Sequence, residues 1–312
     1  MPLKMAVVGV GSLGQHHARI LSGLEGVELA AVVDKNPERA KEIAEKFGTK
    51  ALGDYRELEK LDGVVVASPT VFHLEHASYF LKKGTAVLCE KPMASSLEEC
   101  DGILEARNET GAPLLIGHIE HFNPAVEAAG EKITAPGFME IDRLGVFTGR
   151  SLDVDVVYDL MIHDIEISMS LVKRPVEKID AIGVSVLSDH IDIANARLTF
   201  DGGCVANLTA SRISRDKIRK LRLFEKNSYF SIDYADQSVE AFRVEKAGEK
   251  RNILPLEVPV EKKEPLLAEL EHFVSVIGGG TRPKVDGDAG REAVRIASRI
   301  VDAINAKWQK TG

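Results

Sequence analysis

The run Lys4-Met-Ala-Val-Val-Gly-Val-Gly-Ser-Leu-Gly14 constrains the fold of this 312-residue chain more than any other feature. Apolar residues lead straight into three glycines at G-x-G-x-x-G spacing, and a helical pattern follows. A second apolar run, 27–33, then ends at Asp34, about twenty residues after the turn, the distance expected of a dinucleotide-binding βαβ unit. Each glycine has its own physical task. Gly9 lets the chain leave the strand sharply, Gly11 keeps side-chain atoms away from a pyrophosphate, and Gly14 allows the helix close to the sheet. Ser12 and Leu13 complete the turn, whose N–H groups and positive helix end favour phosphate. The Asp34 carboxylate suits both hydroxyls of an adenosine ribose and repels a 2′-phosphate, so NAD is expected in preference to NADP; Lys35 beside it pulls the other way.

The α/β alternation continues. Residues 63–67, 86–89 and 113–117 read as further buried strands. Residues 37–47 read as a helix opened by Pro37 with Ala40, Ile43, Ala44 and Phe47 on one face. Helices are also predicted at 70–83 and at 95–109, the latter with Ser96 as N-cap. After His121 the pattern changes to strand-like runs at 140–147, 176–186, 191–200, 204–210, 220–225, 229–233 and 239–244, with Asp201-Gly202-Gly203 as a hairpin turn. One helical stretch, 153–171, is expected to lie across this second sheet, and amphipathic helices are expected at 265–277 and 290–306. The reading is α/β: an N-terminal Rossmann domain with a doubly wound parallel sheet (1–121), and a C-terminal α+β domain with a large, open, mostly antiparallel sheet (122–312). The terminal helices are expected to pack back on the Rossmann domain.

Bulk composition narrows the function. With 44% hydrophobic and 28% charged residues the chain is an ordinary globule. A net charge of -8 argues against a nucleic-acid partner, which needs a basic face. No apolar run approaches a membrane span, and nothing resembles a signal peptide. Three scattered cysteines, Cys89, Cys100 and Cys204, fit neither a disulfide framework nor a metal cluster and point to a reducing cytoplasm.

Two constellations could carry chemistry. Lys91, in Cys89-Glu90-Lys91-Pro92, follows a buried strand at the carboxyl edge of the sheet, where open α/β folds bind ligands. An ammonium there can stabilise developing alkoxide character; Pro92 raises the chance of a cis bond before it. The second constellation is Asp159-x-x-x-His163. On a helix these share a face, so a carboxylate can orient an imidazole that takes a proton near neutral pH. Taken alone, the spacing better suits a helix-surface ion pair or a satisfied core histidine. With no further His or Cys nearby, no metal is expected. His16 and His17, which follow the glycine turn, read as helix-surface residues in preference to contacts of a cofactor phosphate, and His76, His118, His190 and His272 as structural.

Together these residues resemble the glucose-fructose oxidoreductase / inositol dehydrogenase (Gfo/Idh/MocA) family. The resemblance rests on the glycine turn with Asp34, Ser68-Pro69-Thr70 followed by His73, the run 84–92 (GTAVLCEKP), Asp159-x-x-x-His163, 269–273 (ELEHF) and 286–288 (DGD). It implies a two-domain NAD(P)-dependent oxidoreductase of sugars or cyclic polyols whose open sheet mediates a homodimer or homotetramer. Carried onto matching positions, Lys91 polarises the reacting hydroxyl, His163 accepts its proton and Asp159 assists. Ser68, Pro69, Thr70, His73 and Glu90 fall to the cofactor side, and Asn123 to the substrate side. Val156, Val157 and Met161 stand where many members carry glycines. The segments 117–124 and 158–166 are more similar to the branch that includes UDP-N-acetylglucosamine 3-dehydrogenases.

A nucleotide sugar needs cations for its diphosphate. The segment 211–222 (SRISRDKIRKLR) concentrates them, and Arg212 and Arg215 are taken as substrate contacts. The expected activity is hydride transfer between a secondary sugar hydroxyl, preferably of a UDP-amino sugar, and nicotinamide. The alternatives are a free sugar or inositol as substrate, and a non-catalytic NAD-bound regulator of the same fold.

Overall fold

The computed structural model of the chain describes residues 1–147, 149 and 154–308. These fall into two units, one of residues 1–119 with 264–294, the other of residues 120–263 with the final segment from Arg295. Asp153, where the sequence pattern starts its long helix, lies outside the described residues.

The first unit alternates β1 (Leu3–Val8), α1 (Gly14–Leu21), β2 (Val27–Val33), α2 (Pro37–Phe47), β3 (Lys50–Leu52), β4 (Gly63–Val66), α3 (His73–Leu81), β5 (Ala86–Glu90), α4 (Leu97–Thr110) and β6 (Leu114–Gly117). The strands form one parallel sheet in the order β3-β2-β1-β4-β5-β6, the doubly wound arrangement. Strands β4, β5 and β6 are buried at every position, which is why their sequences are apolar runs rather than alternating, with Glu90 at the end of β5 the one charged exception. Local signals set the helix ends. The Asn36 side chain accepts the Glu38 and Arg39 N–H groups ahead of Pro37, Gly48 closes α2 in the left-handed region at φ 67°, and Ser96 Oγ accepts the Glu99 N–H at 3.2 Å.

The second unit contains α5 (Pro124–Gly130), β7 (Phe138–Leu144), a π-helical turn (Val157–Met161) running into α6 (Ile162–Val172), then β8 (Val176–Val184), β9 (Ile193–Phe200), β10 (Val205–Ser211), β11 (Ile218–Phe224), β12 (Ser228–Asp233), β13 (Ser238–Ala247) and β14 (Lys250–Pro255). Its eight strands run β14-β13-β12-β11-β7-β10-β9-β8, antiparallel except for the β7–β10 pair. Gly202 and Gly203, at φ 84° and 88°, make the predicted hairpin between β9 and β10. Alternate residues of the strands, among them Met139, Ile141, Leu221, Leu223, Phe230 and Ile232, form the core with α5, α6 and the end of the last helix. The opposite face carries exposed apolar groups, including Ile182, Val184, Phe224 and Phe242, the last two with half-buried Tyr229 between them.

Of the two closing helices, α7 (Pro265–Ile277) belongs to the first unit, with Phe273 and Ile277 against Gly63 of β4. The division between units falls within α8 (Gly287–Trp308). The short or charged elements β3, β14 and α5 leave too little apolar pattern to be read from sequence. No helix among the described residues is long and apolar enough to cross a membrane.

Candidate active site

The glycine turn separates what the fold requires from what a ligand requires. Gly9 lies at φ 88°, and a Cβ on it would stand 2.5 Å from the Ser68 backbone nitrogen; one on Gly14 would stand 1.8 Å from the Gly9 carbonyl oxygen. Both glycines are demanded by packing. A Cβ on Gly11 would meet nothing within 4 Å. Its missing side chain therefore leaves open space for a dinucleotide's phosphates, beside the exposed Ser12 and Leu13. Asp34 Oδ2 accepts the Val10 N–H at 2.9 Å, and Oδ1 accepts that of Asn36 at 2.9 Å, so the carboxylate is fixed at the end of β2. It faces a cavity of about 300 Å³ lined also by Gly9, Lys35, Ser68, Pro69 and Phe72. The Lys35 ammonium lies 4.0 Å from the centre of the Phe72 ring. Thr70 starts the short 3₁₀ turn that follows Pro69. These features fit a dinucleotide.

At the end of β5, Lys91 is half-buried and the Lys91-Pro92 bond is cis. Its backbone N–H donates to Glu90 Oε2 at 3.2 Å, while His17 Nε2 donates to Glu90 Oε1 at 2.7 Å. Burial pushes the Glu90 carboxyl up, but the His17 bond and the charges of His17 and Lys91 outweigh it and hold it below the usual carboxylate value. His17 is thus a buried anchor of the Lys91 strand, not the helix-surface residue its position suggested; His16 does lie on the surface. His73 is also buried, its Nδ1 3.0 Å from the Pro92 carbonyl and its Nε2 2.9 Å from that of Ser68. Burial pulls it below its ordinary pKa against these carbonyls. The ring ties the end of β4 to the Lys91 loop.

In the second unit, Asp155 anchors the helical segment by accepting the Ile191 N–H at 2.8 Å. Asp159 lies in the π turn and His163 is the second residue of α6, both half-buried. Asp159 thus sits in a wider turn than the regular α-helix expected from the sequence, and such turns occur frequently at functional sites. Next on α6, buried Asp164 receives a bidentate contact from Arg143 of β7 at 2.9 and 2.7 Å, and Arg143 also reaches Glu120 at 2.8 Å. Burial raises the Asp164 carboxyl against the pull of Arg143.

Three residues behave differently from the sequence reading. Arg212 is 6% exposed; its guanidinium holds Asp192 at 3.1 Å and the Ile191 carbonyl at 2.9 Å, which removes it from the substrate contacts. Asn123 is 2% exposed and serves as N-cap of α5, accepting from Ala125 and donating to the Tyr234 carbonyl and to Glu120, so it too is structural. Arg219, not singled out from sequence, has Asp159, Glu120 and Asp164 raising its pKa, though burial and Arg143 keep it below the ordinary arginine value. Strand parity carried the signal: Arg219 falls on the face of β11 that buries Leu221 and Leu223. Arg215 lies exposed in the loop before β11.

The fold and these residues define a nicotinamide-dinucleotide oxidoreductase. Residues 3–118 match the model of the Gfo/Idh/MocA oxidoreductase family, described as an NAD-binding Rossmann fold. The chain is 33% identical to UDP-N-acetylglucosamine 3-dehydrogenase of Acidithiobacillus ferrooxidans over 99% of both chains. A solved structure of that enzyme superposes with a TM-score of 0.90 at 32% identity, covering 98% of this chain and 99% of the other. The scyllo-inositol 2-dehydrogenase (NAD(+)) of Bacillus subtilis is 26% identical over 91% of this chain and 88% of its own length. The protein belongs to the Gfo/Idh/MocA oxidoreductase family and is a dehydrogenase.

Proposed function

We propose that the protein oxidises a secondary hydroxyl of a UDP-amino sugar, of the UDP-N-acetylglucosamine 3-dehydrogenase type, with NAD in preference to NADP. The observation that carries this reading is the match to that enzyme along the whole chain, second unit included. Bound nicotinamide supplies the hydride acceptor; Gly11 and the turn around it hold the pyrophosphate, and Asp34 holds the ribose hydroxyls. Lys91 contacts the reacting oxygen and stabilises its negative charge. His163 takes the hydroxyl proton, with Asp159 orienting it and stabilising its charged form. The exposed Arg215 is the proposed cation for the diphosphate.

The three buried, free cysteines suit a cytoplasmic enzyme. The exposed apolar face of the eight-stranded sheet suits a homodimer or homotetramer. NADH formation with UDP-N-acetylglucosamine, lost in Lys91→Met, tests the reading. The inositol relative favours a second substrate class, and turnover of inositol but not of UDP-sugars replaces the proposed one. Tight NAD binding without turnover of any sugar leaves a regulator.

A further inference from the structure

Beneath the end of β5 three buried groups meet. His17 of α1, Glu90 of β5 and Glu269 of α7 place ligand atoms within 4.8 Å of one another, and all three belong to the first unit. Glu269 is fully buried, and neither of its carboxyl oxygens has a hydrogen-bond partner among the described residues. His17 and Glu90 already touch at 2.7 Å, so the cluster is closed by a direct hydrogen bond rather than spread around a cation. The space for it is built in: Gly117 of β6 faces Glu90, and a Cβ there would stand 3.1 Å from Glu90 Oε2.

Charge counting decides the state of the third group. Glu90 is already one buried carboxylate beside His17; a second ionised carboxylate there adds a further negative charge inside the protein, which is costly. The groups that face Glu269 are His17 from α1 and Glu90 from β5, with Cys89 and Lys91 adjoining Glu90. Burial raises the Glu269 carboxyl well above its ordinary value, and the negative charge of Glu90 acts in the same direction.

We infer that Glu269 is a positioning residue that keeps its proton at neutral pH, and that its neutrality lets Glu90 remain ionised and hold the backbone N–H of Lys91. Loss of that proton sets two carboxylates against each other under the Lys91 loop. Glu90 then relaxes its grip on both His17 and the Lys91 peptide. Glu269 itself touches no substrate; it acts through Glu90.

The test compares the full-length protein with Glu269→Gln by urea unfolding from pH 5 to pH 8. The sign follows from proton counting. Above the ordinary carboxyl value the unfolded chain has released the Glu269 proton and the folded chain has not, so the wild type loses stability as pH rises, and Gln removes that loss. The unfolding constant of the variant relative to wild type is expected to fall about tenfold per pH unit. A ratio that stays constant across this range overturns the inference. If Glu269→Gln does not fold, Glu269→Leu gives the same slope. If neither folds, the wild type's infrared spectrum decides: a band from a protonated, exchange-resistant carboxyl at pH 7 supports the inference, and its absence overturns it.

A kinetic arm rests on the proposed dehydrogenase activity. The alkaline fall of kcat/KM with UDP-N-acetylglucosamine is expected to move to higher pH in Glu269→Gln, and an unmoved profile overturns the positioning role. Absence of turnover in both proteins counts against the proposed substrate and leaves the unfolding result to decide on Glu269.

Discussion

The glycine-turn unit and the α6 unit are held together differently. In the first, each element carries its own instructions: an apolar run for each strand, Asn36 and Ser96 at helix starts, Gly48 and Gly111 at helix ends. The first unit also holds a buried long-range cluster, His17 with Glu90 and Glu269, but in the second the helix that carries the candidate base is itself fixed by such contacts, as when Arg143 reaches forward to Asp164 and back to Glu120. Local instructions are numerous and individually weak, whereas the long-range network is small and fails as a whole. The same contrast governs which parts of the site a sequence reader can see.

Removing the hub of the network has the largest expected effect. Arg143→Met strips Asp164 of its bidentate partner and leaves Glu120 only the looser 3.6 Å contact with Arg219, and breaking a buried pair in this way costs about 3–5 kcal/mol. The lower part of that range is expected because Arg219 still faces both carboxylates. A urea midpoint within the scatter of surface substitutions would erase the distinction between the units. The Arg143→Met, Asp164→Leu double variant sharpens it, and is expected to recover part of the loss.

His163→Ala comes next. Loss of the proposed general base is expected to lower kcat by about 10²–10⁴-fold, with the fold intact by circular dichroism and NAD affinity within about twofold of wild type. Retention of kcat would place the proton acceptor elsewhere. The unit that reads poorly from sequence would then carry no catalytic group at this position.

How far the site was legible follows from the same contrast. Gly9, Gly11, Gly14, Asp34 and Lys91 sit on one short parallel-sheet edge, and their spacing alone places them. A doubly wound parallel sheet follows from that alternation, although its short edge strand β3 does not. Arg212 and Asn123 were misread because their partners, Asp192 for the one and the Tyr234 carbonyl for the other, lie 20 and 111 residues away. Residue type and exposure guesses cannot supply such partners. His17 was misread for a related reason: its place on α1 looks like surface until β5 brings Glu90 to it. The π turn was invisible because Asp159 and His163 keep the spacing of an ordinary α-helix. Arg219 was legible in principle, since it alternates with buried leucines on β11.

Within the first unit the expected effects are smaller. Asp34→Asn removes one negative charge from the ribose end of the cavity while keeping an oxygen for the Val10 or Asn36 N–H. A charge interaction of about 1–2 kcal/mol at a partly solvated site corresponds to roughly tenfold, so the proposed preference for NAD over NADP, measured as a ratio of kcat/KM, is expected to fall about tenfold. An unchanged ratio would shift the discrimination to Lys35 or Arg56, which line the same cavity.

Ser96→Ala gives the smallest effect and the most direct test of the contrast. It deletes one acceptor for the Glu99 N–H at the start of α4 and touches nothing distant. N-cap losses of this kind cost about 1 kcal/mol. The Glu99 side chain still accepts the Ser95 N–H at 2.9 Å, so half of the capping arrangement survives and the cost should not exceed that figure. Because the loss is local, it should add to that of Arg143→Met within about 0.5 kcal/mol in the double variant. Strong non-additivity would mean that α4 and the Arg143 network report on one cooperative structure, and the division between a locally instructed unit and a network-held unit would have to be abandoned.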